Sequence, residues 1–161
     1  MNREKILEGA KEVFFKAMLA GYAGEGREKT TKAKSSDGYT TIEYSDGDFR
    51  VVDRYCTTPD SDFSAGTTVI FFENKPVWWM AYAGSYPAEV IGFLKEILRE
   101  NYENGIFNGG RGLGVKRGEN FIYINEVKDC DFSLFNGMEI IIYSKTEKKL
   151  GFHRYFGSAL I

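Results

Sequence analysis

Twice along this chain a helix-length amphipathic segment leads through a glycine-punctuated polar stretch into β-prone runs that close on Tyr-x-Gly-Ser. The closing motif is Tyr82-Ala83-Gly84-Ser85 in the first copy and Tyr155-Phe156-Gly157-Ser158 in the second. Self-similarity of this kind constrains a chain strongly, because each unit must bury its apolar face and the other unit is at hand to cover it. Other segments align. Phe14-Phe15-Lys16-Ala17-Met18-Leu19 matches Phe93-Leu94-Lys95-Glu96-Ile97-Leu98, and Tyr22 with Gly24 matches Tyr102 with Gly105. Gly66-Thr67-Thr68-Val69-Ile70-Phe71-Phe72 matches Gly137-Met138-Glu139-Ile140-Ile141-Ile142-Tyr143. The expectation is a duplicated unit in a single domain over residues 1–161, with halves 1–84 and 85–161 about a pseudo-two-fold axis. The seam between them is a natural place for a pocket.

Periodicity assigns the elements. Ile6, Ala10, Val13, Phe14, Ala17 and Met18 recur at helical spacing over 3–20, with Gly21 and Gly24 as stops. A second helix spans 87–103, entered at Pro87 and striped by Val90, Ile91, Leu94, Ile97 and Leu98. Strands are expected over 41–44 and 49–55, joined by Ser45-Asp46-Gly47-Asp48. Further strands are expected over 67–72 and 77–82, joined by Glu73-Asn74-Lys75-Pro76, and then over 121–124, 138–143 and 150–155. The basic stretch 23–40, with Arg27, Lys29, Lys32 and Lys34, reads as a mobile solvated loop. Residues 57–64 and the glycine-rich 106–119 also read as loops. The fold class is α+β: two helices packed on a mainly antiparallel sheet, as two helix-plus-strands repeats. An aromatic share of 16% favours sheet.

A net charge of −2 gives no support for a nucleic-acid or membrane-surface partner. The N-terminus is charged and no apolar run reaches bilayer length, so a cytoplasmic location is expected. Cys56 and Cys130 belong to no Cys-x-x-Cys pair, and one histidine cannot complete a zinc set. Two reduced, buried thiols are expected, with no metal and no cofactor.

Gly109-Gly110-Arg111-Gly112-Leu113-Gly114 resembles a phosphate loop, but a helix precedes it and strand-like sequence follows, which rejects a dinucleotide site. It reads as a connector, or as a weaker anion site in which Arg111 binds bidentately. Trp78 and Trp79 are adjacent on one strand and so face opposite ways. If the outward one is uncovered, it marks a ligand or partner surface. His153 could serve as a general base, but no nucleophile can be assigned to it, so a surface or core histidine is the favoured reading. Asp53 and Glu139 interrupt apolar strands, either as structural pairs or as pocket residues with altered acidity.

These residues carry a resemblance to the bacterial and archaeal domain of unknown function 5680. It rests on Tyr44, Asp53, Tyr55, Gly66 and Val69, and on the block Pro76-Val77-Trp78-Trp79-Met80-Ala81-Tyr82-Ala83-Gly84. Phe93-Leu94-Lys95, Arg111-Gly112, Phe135-x-Gly137-x-Glu139 and Tyr155-x-Gly157 complete it, over roughly residues 14–158. The chain departs from that pattern at Thr68, Leu113 and Ser158, where an acidic residue, a proline and a glycine are expected. The resemblance implies no established activity. Similar domains occur alone or behind a helix-turn-helix segment, which implies a sensing or dimerising role. No such segment is expected ahead of the first helix in this sequence.

Three functions compete. The first is a small-molecule-binding or sensing module with Asp53, Tyr55, Trp78, Tyr82, Arg111, Glu139 and Tyr155 as candidate ligand contacts. The others are a homodimerisation or protein-interaction module, and a small hydrolase using the strand carboxylates, with catalytic residues unassigned.

Overall fold

The computed structural model describes residues 2–23 and 30–161. Helix α1 spans Arg3–Met18 and runs into a π-helical turn, Leu19–Ala23. Strands β1 (Thr30–Lys34), β2 (Tyr39–Asp46), β3 (Phe49–Thr57), β4 (Phe63–Phe72) and β5 (Lys75–Ser85) follow. Helix α2 spans Ala88–Glu103, and β6 (Val115–Arg117), β7 (Phe121–Asp131), β8 (Leu134–Tyr143) and β9 (Lys149–Ala159) complete the chain. Among the described residues, no helix is long and apolar enough to cross a membrane.

Local chemistry accounts for the helix boundaries. The Asn2 side chain accepts a hydrogen bond from the Lys5 amide at 3.0 Å and so caps α1. Pro87 precedes the first turn of α2, and Gly105, at φ 63°, lets the chain turn away after it. The first helical segment, expected to 20, is α-helical only to Met18. The wider π turn then carries Tyr22 onto the sheet, a rearrangement that apolar periodicity does not encode.

All nine strands form one antiparallel sheet in the order β1-β2-β3-β4-β5-β9-β8-β7-β6. The centre is the β5/β9 pairing, and from there the strands run outward in descending chain order on both sides. The two sides share a cross-strand pairing of glycine with tyrosine. Gly66 on β4 lies opposite Tyr82 on β5, and Gly137 on β8 lies opposite Tyr155 on β9. Asp53 faces Thr68 across β3/β4, and Asn125 faces Glu139 across β7/β8.

Both helices contribute to one core on one face of this sheet. Phe14 of α1 meets Trp78, Tyr102, Phe107 and Phe132, while Val90, Leu94, Ile97 and Leu98 of α2 are buried in the same cluster. Trp78 is fully buried, stacks on Phe132 and Phe135, and donates its indole N–H to the Phe132 carbonyl at 2.7 Å. Trp79 lies on the opposite face beside Phe156, which is 56% exposed.

Four expectations need correction. Part of the 23–40 loop is strand: β1 pairs along β2, while residues 24–29, with Arg27 and Lys29, lie outside the described residues. Alternating Thr30, Thr31, Lys32, Ala33 and Lys34 is an edge strand whose exposed lysines hid it in a charge count. Residues 106–119 are not a free connector, because Gly109, Gly110, Arg111 and Gly112 are buried and Val115–Arg117 forms β6. Neither cysteine is buried: Cys56 is half-exposed, Cys130 is exposed, and both are free thiols. Ser64, read as loop, belongs to β4.

Candidate functional site

A cavity of about 160 Å³ opens between the helices and the central strands. Its sheet wall is built from alternate positions, which share a face by the two-residue period: Asp53, Tyr55 and Thr57 of β3, Ser64 and Thr68 of β4, Met80 and Tyr82 of β5, and His153 of β9. Phe14 and Met18 of α1, Tyr22 of the π turn, and Tyr102 of α2 supply the other wall, closed by Gly110 and Arg111. The lining draws on both halves and straddles the β5/β9 pairing.

Asp53 is the central acid. The hydroxyls of Thr68 and Tyr82 both donate to its Oδ1, each at 2.8 Å. Oδ2 has no hydrogen-bond partner among the described residues, and no lysine or arginine of the described chain pairs with the carboxylate. Burial raises the Asp53 pKa above the ordinary carboxylate value; the two hydroxyls and the Arg111 charge only partly offset this. The same burial, together with the negative Asp53, pushes the Tyr82 phenol far up, so Tyr82 remains a donor.

Glu139 has the opposite fate. It is fully buried, and Arg111 binds its Oε1 through Nε at 3.0 Å and also through Nη2. Tyr123 donates to Oε2 at 2.5 Å. Burial alone would raise the Glu139 pKa, but the Arg111 guanidinium overcomes it and holds the carboxyl below its usual value. The glycine loop makes this pair possible. Asn101 Nδ2 donates to the Arg111 carbonyl, Tyr102 donates to the Gly110 carbonyl at 2.8 Å, and Asn125 Nδ2 donates to the Gly112 carbonyl at 2.9 Å. Nothing in this arrangement leaves Arg111 as a free bidentate anion clamp.

His153 stands between the two carboxylates. Its Nε2 lies 3.4 Å from Ser64 Oγ; its Nδ1, 4.0 Å from Glu139 Oε1, is buried without a hydrogen-bond partner among the described residues. Burial, reinforced by Arg111, lowers its pKa to about 4, so the ring is neutral at pH 7.

Of the residues singled out from sequence, Asp53, Tyr55, Tyr82 and Arg111 line the cavity together. Trp78, Glu139 and Tyr155 sit behind its wall. Trp78 is core, Glu139 is sealed under Arg111, and the Tyr155 hydroxyl donates to Asn125 Oδ1 at 2.7 Å. Sequence reading missed Tyr22, Ser64, Thr68 and Tyr102 as lining, and favoured His153 as a surface or core residue. Strand alternation could have found Ser64 and Thr68, which fall two residues either side of Gly66. The matched spacing of Tyr22 and Tyr102 after the two helical segments was the signal for the helical wall. Among the described residues, no cluster of His, Cys, Asp and Glu could hold a metal ion.

A family model described as "Domain of unknown function (DUF5680)" matches residues 53–158. No curated protein and no solved structure matches the chain.

Proposed function

The chain belongs to the domain of unknown function 5680 family, and from the geometry of its cavity we propose that it is a small-molecule-binding or sensing module. The observation that carries this reading is a carboxylate oxygen without a hydrogen-bond partner among the described residues, on a residue that lines an aromatic cavity. Asp53, with Oδ2 left open, and a neutral His153 line this cavity with Phe14, Tyr22, Tyr55, Tyr82 and Tyr102. Buried polar groups are normally satisfied within the protein, so groups left open around a cavity call for an outside partner. A volume near 160 Å³ resembles the cavity of about 150 Å³ that accepts benzene, which sets the size of ligand held inside the walls. The free thiols Cys56 and Cys130 favour a reducing, cytoplasmic setting.

Thermal-shift screening against small metabolites tests the reading. A ligand present at about 100 times its Kd adds about 2.7 kcal/mol to stability, and the resulting rise in Tm should disappear in the double variant Asp53→Asn, Tyr82→Phe. A screen in which no compound stabilises the wild type more than that variant would overturn it.

A second reading, self-association, is favoured by the uncovered sheet face. Trp79 packs edge-on to Phe156 there, with Phe63, against Phe152, and Leu134 also more than half exposed. A second copy of this chain is the proposed partner, and light scattering showing a dimer that Phe156→Lys dissociates would support it. A wild-type monomer at high concentration would remove it. The hydrolase reading draws less support: the Ser64–His153–Glu139 line has a 4.0 Å gap between imidazole and carboxylate, and Arg111 and Tyr123 already occupy that carboxylate.

A further inference from the structure

We propose that the cavity takes a small organic monocation, an ammonium or amidinium group on a compact apolar body, seated against Asp53 Oδ2 and walled by aromatic rings. This rests on the binding-module reading above and goes on to name the ligand's chemistry.

The two sides of the sheet make the case by comparison. Each carries a tyrosine lying over a cross-strand glycine: a Cβ on Gly66 would stand 2.6 Å from the Tyr82 hydroxyl, and one on Gly137 would overlap that of Tyr155. Each tyrosine donates to a residue on the next strand but one, Tyr82 to Asp53 and Tyr155 to Asn125. Each of those residues has a cross-strand neighbour, Thr68 for Asp53 and Glu139 for Asn125, so each side holds one carboxylate in this four-residue arrangement.

On the β7–β8–β9 side the space above is filled from within the chain. The glycine loop lies over it, the Asn125 amide bonds the carbonyls of Asn108 and Gly112, and the loop delivers the cation of Arg111 to Glu139. On the β3–β4–β5 side the corresponding space is the cavity, and the carboxylate has hydroxyl donors but no cation. The buried charges do not balance. Arg111 is ion-paired to Glu139 and reaches Asp53 only as a weaker, more distant charge, His153 is uncharged at pH 7, and Asp53 is left without an ion-pair partner of its own among the described residues. A ligand cation would supply for Asp53 what Arg111 supplies for Glu139.

The aromatic lining suits the same group. Phe14, Tyr22, Tyr55, Tyr82 and Tyr102 line a cavity too small for a large hydrated ion, and the electron-rich faces of aromatic rings favour a desolvated organic cation. An anionic ligand would meet Asp53 with like charge and would have to take Arg111 from Glu139.

Matched probes decide the matter. Benzylamine is an ammonium ion at pH 7, and benzyl alcohol has nearly the same shape without the charge. Calorimetric titration of the intact protein should show benzylamine binding at least about tenfold more tightly than benzyl alcohol, and Asp53→Asn should abolish that preference. Asparagine can still accept from Tyr82 and Thr68, and circular dichroism of the variant confirms that the comparison is made on a folded chain. Equal affinity for the two probes, or a preference that survives Asp53→Asn, would overturn the cation while leaving the pocket reading intact. Neutral compounds that stabilise the protein while no amine or amidine does so would have the same effect. A cavity that binds neither probe, in a protein that no screened compound stabilises, removes both.

Discussion

Asp53 and His153 face one cavity, and burial moves their pKa values in opposite directions. Because the folded-state pKa of Asp53 is raised, its contribution to stability is present below the unfolded value of 3.8 and is lost as pH rises through the folded value. Above that unfolded value the Asp53 carboxyl therefore costs the fold stability. Asp53→Asn should melt higher than wild type at pH 7, by about 3 °C for each kcal/mol gained, and the advantage should vanish on acidification. Equal melting temperatures across that range would contradict the raised pKa. His153 acts with the other sign. Its pKa is depressed from 6.5 to about 4, so its neutral form contributes stability above 6.5 that is lost as pH falls through the folded value. Over that interval the loss amounts to roughly 3 kcal/mol. His153→Gln should flatten the stability profile between those two pH values, as read from denaturant midpoints.

Elements were legible in the sequence to the extent that one local rule governed them. The helix stripe from Val90 to Leu98 and the strand alternation from Val77 to Tyr82 obey periodicity, and both fall where periodicity puts them. The turn from Leu19 to Ala23 follows no such rule, and neither does the Arg111 loop, whose path is fixed by partners distant in sequence such as Asn125 and Glu139. The candidate site was half legible for the same reason. Asp53 and Tyr82 announce themselves as polar groups in apolar strands, but whether Glu139 opens to a ligand or is closed by Arg111 depends on where the loop lands. That loop behaves as a plug held by one ion pair. Arg111→Met leaves a buried, unpaired carboxylate and should cost about 3–5 kcal/mol in chemical denaturation. Adding Glu139→Gln to it should recover part of the loss; a single variant as stable as wild type would show that the pair is not what holds the loop.

For the whole molecule, the β5/β9 pairing is the junction on which everything else depends. Gly84 lies opposite His153 there, and a Cβ at Gly84 would overlap the Phe152 carbonyl oxygen and the His153 ring. Those are a strand backbone and a buried ring, neither able to step aside cheaply. Gly84→Ala should therefore destabilise the protein by more than about 3 kcal/mol, whereas Gly92→Ala, where an added Cβ meets nothing within 4 Å on an exposed part of α2, should be neutral or stabilising. Matching denaturation midpoints for the two variants would refute this account of the junction. The same junction also sets an order of events during synthesis. The strand that joins the two sides is β9, the last in chain order, while its neighbour β5 begins 74 residues earlier (149 − 75). Hairpins of the first half can zip as they emerge, but β5 must wait with one edge unpaired until β9 arrives. That edge, bearing Trp78 and Trp79, is where a stalled nascent chain would be most prone to aggregate, and where a chaperone would have most reason to bind.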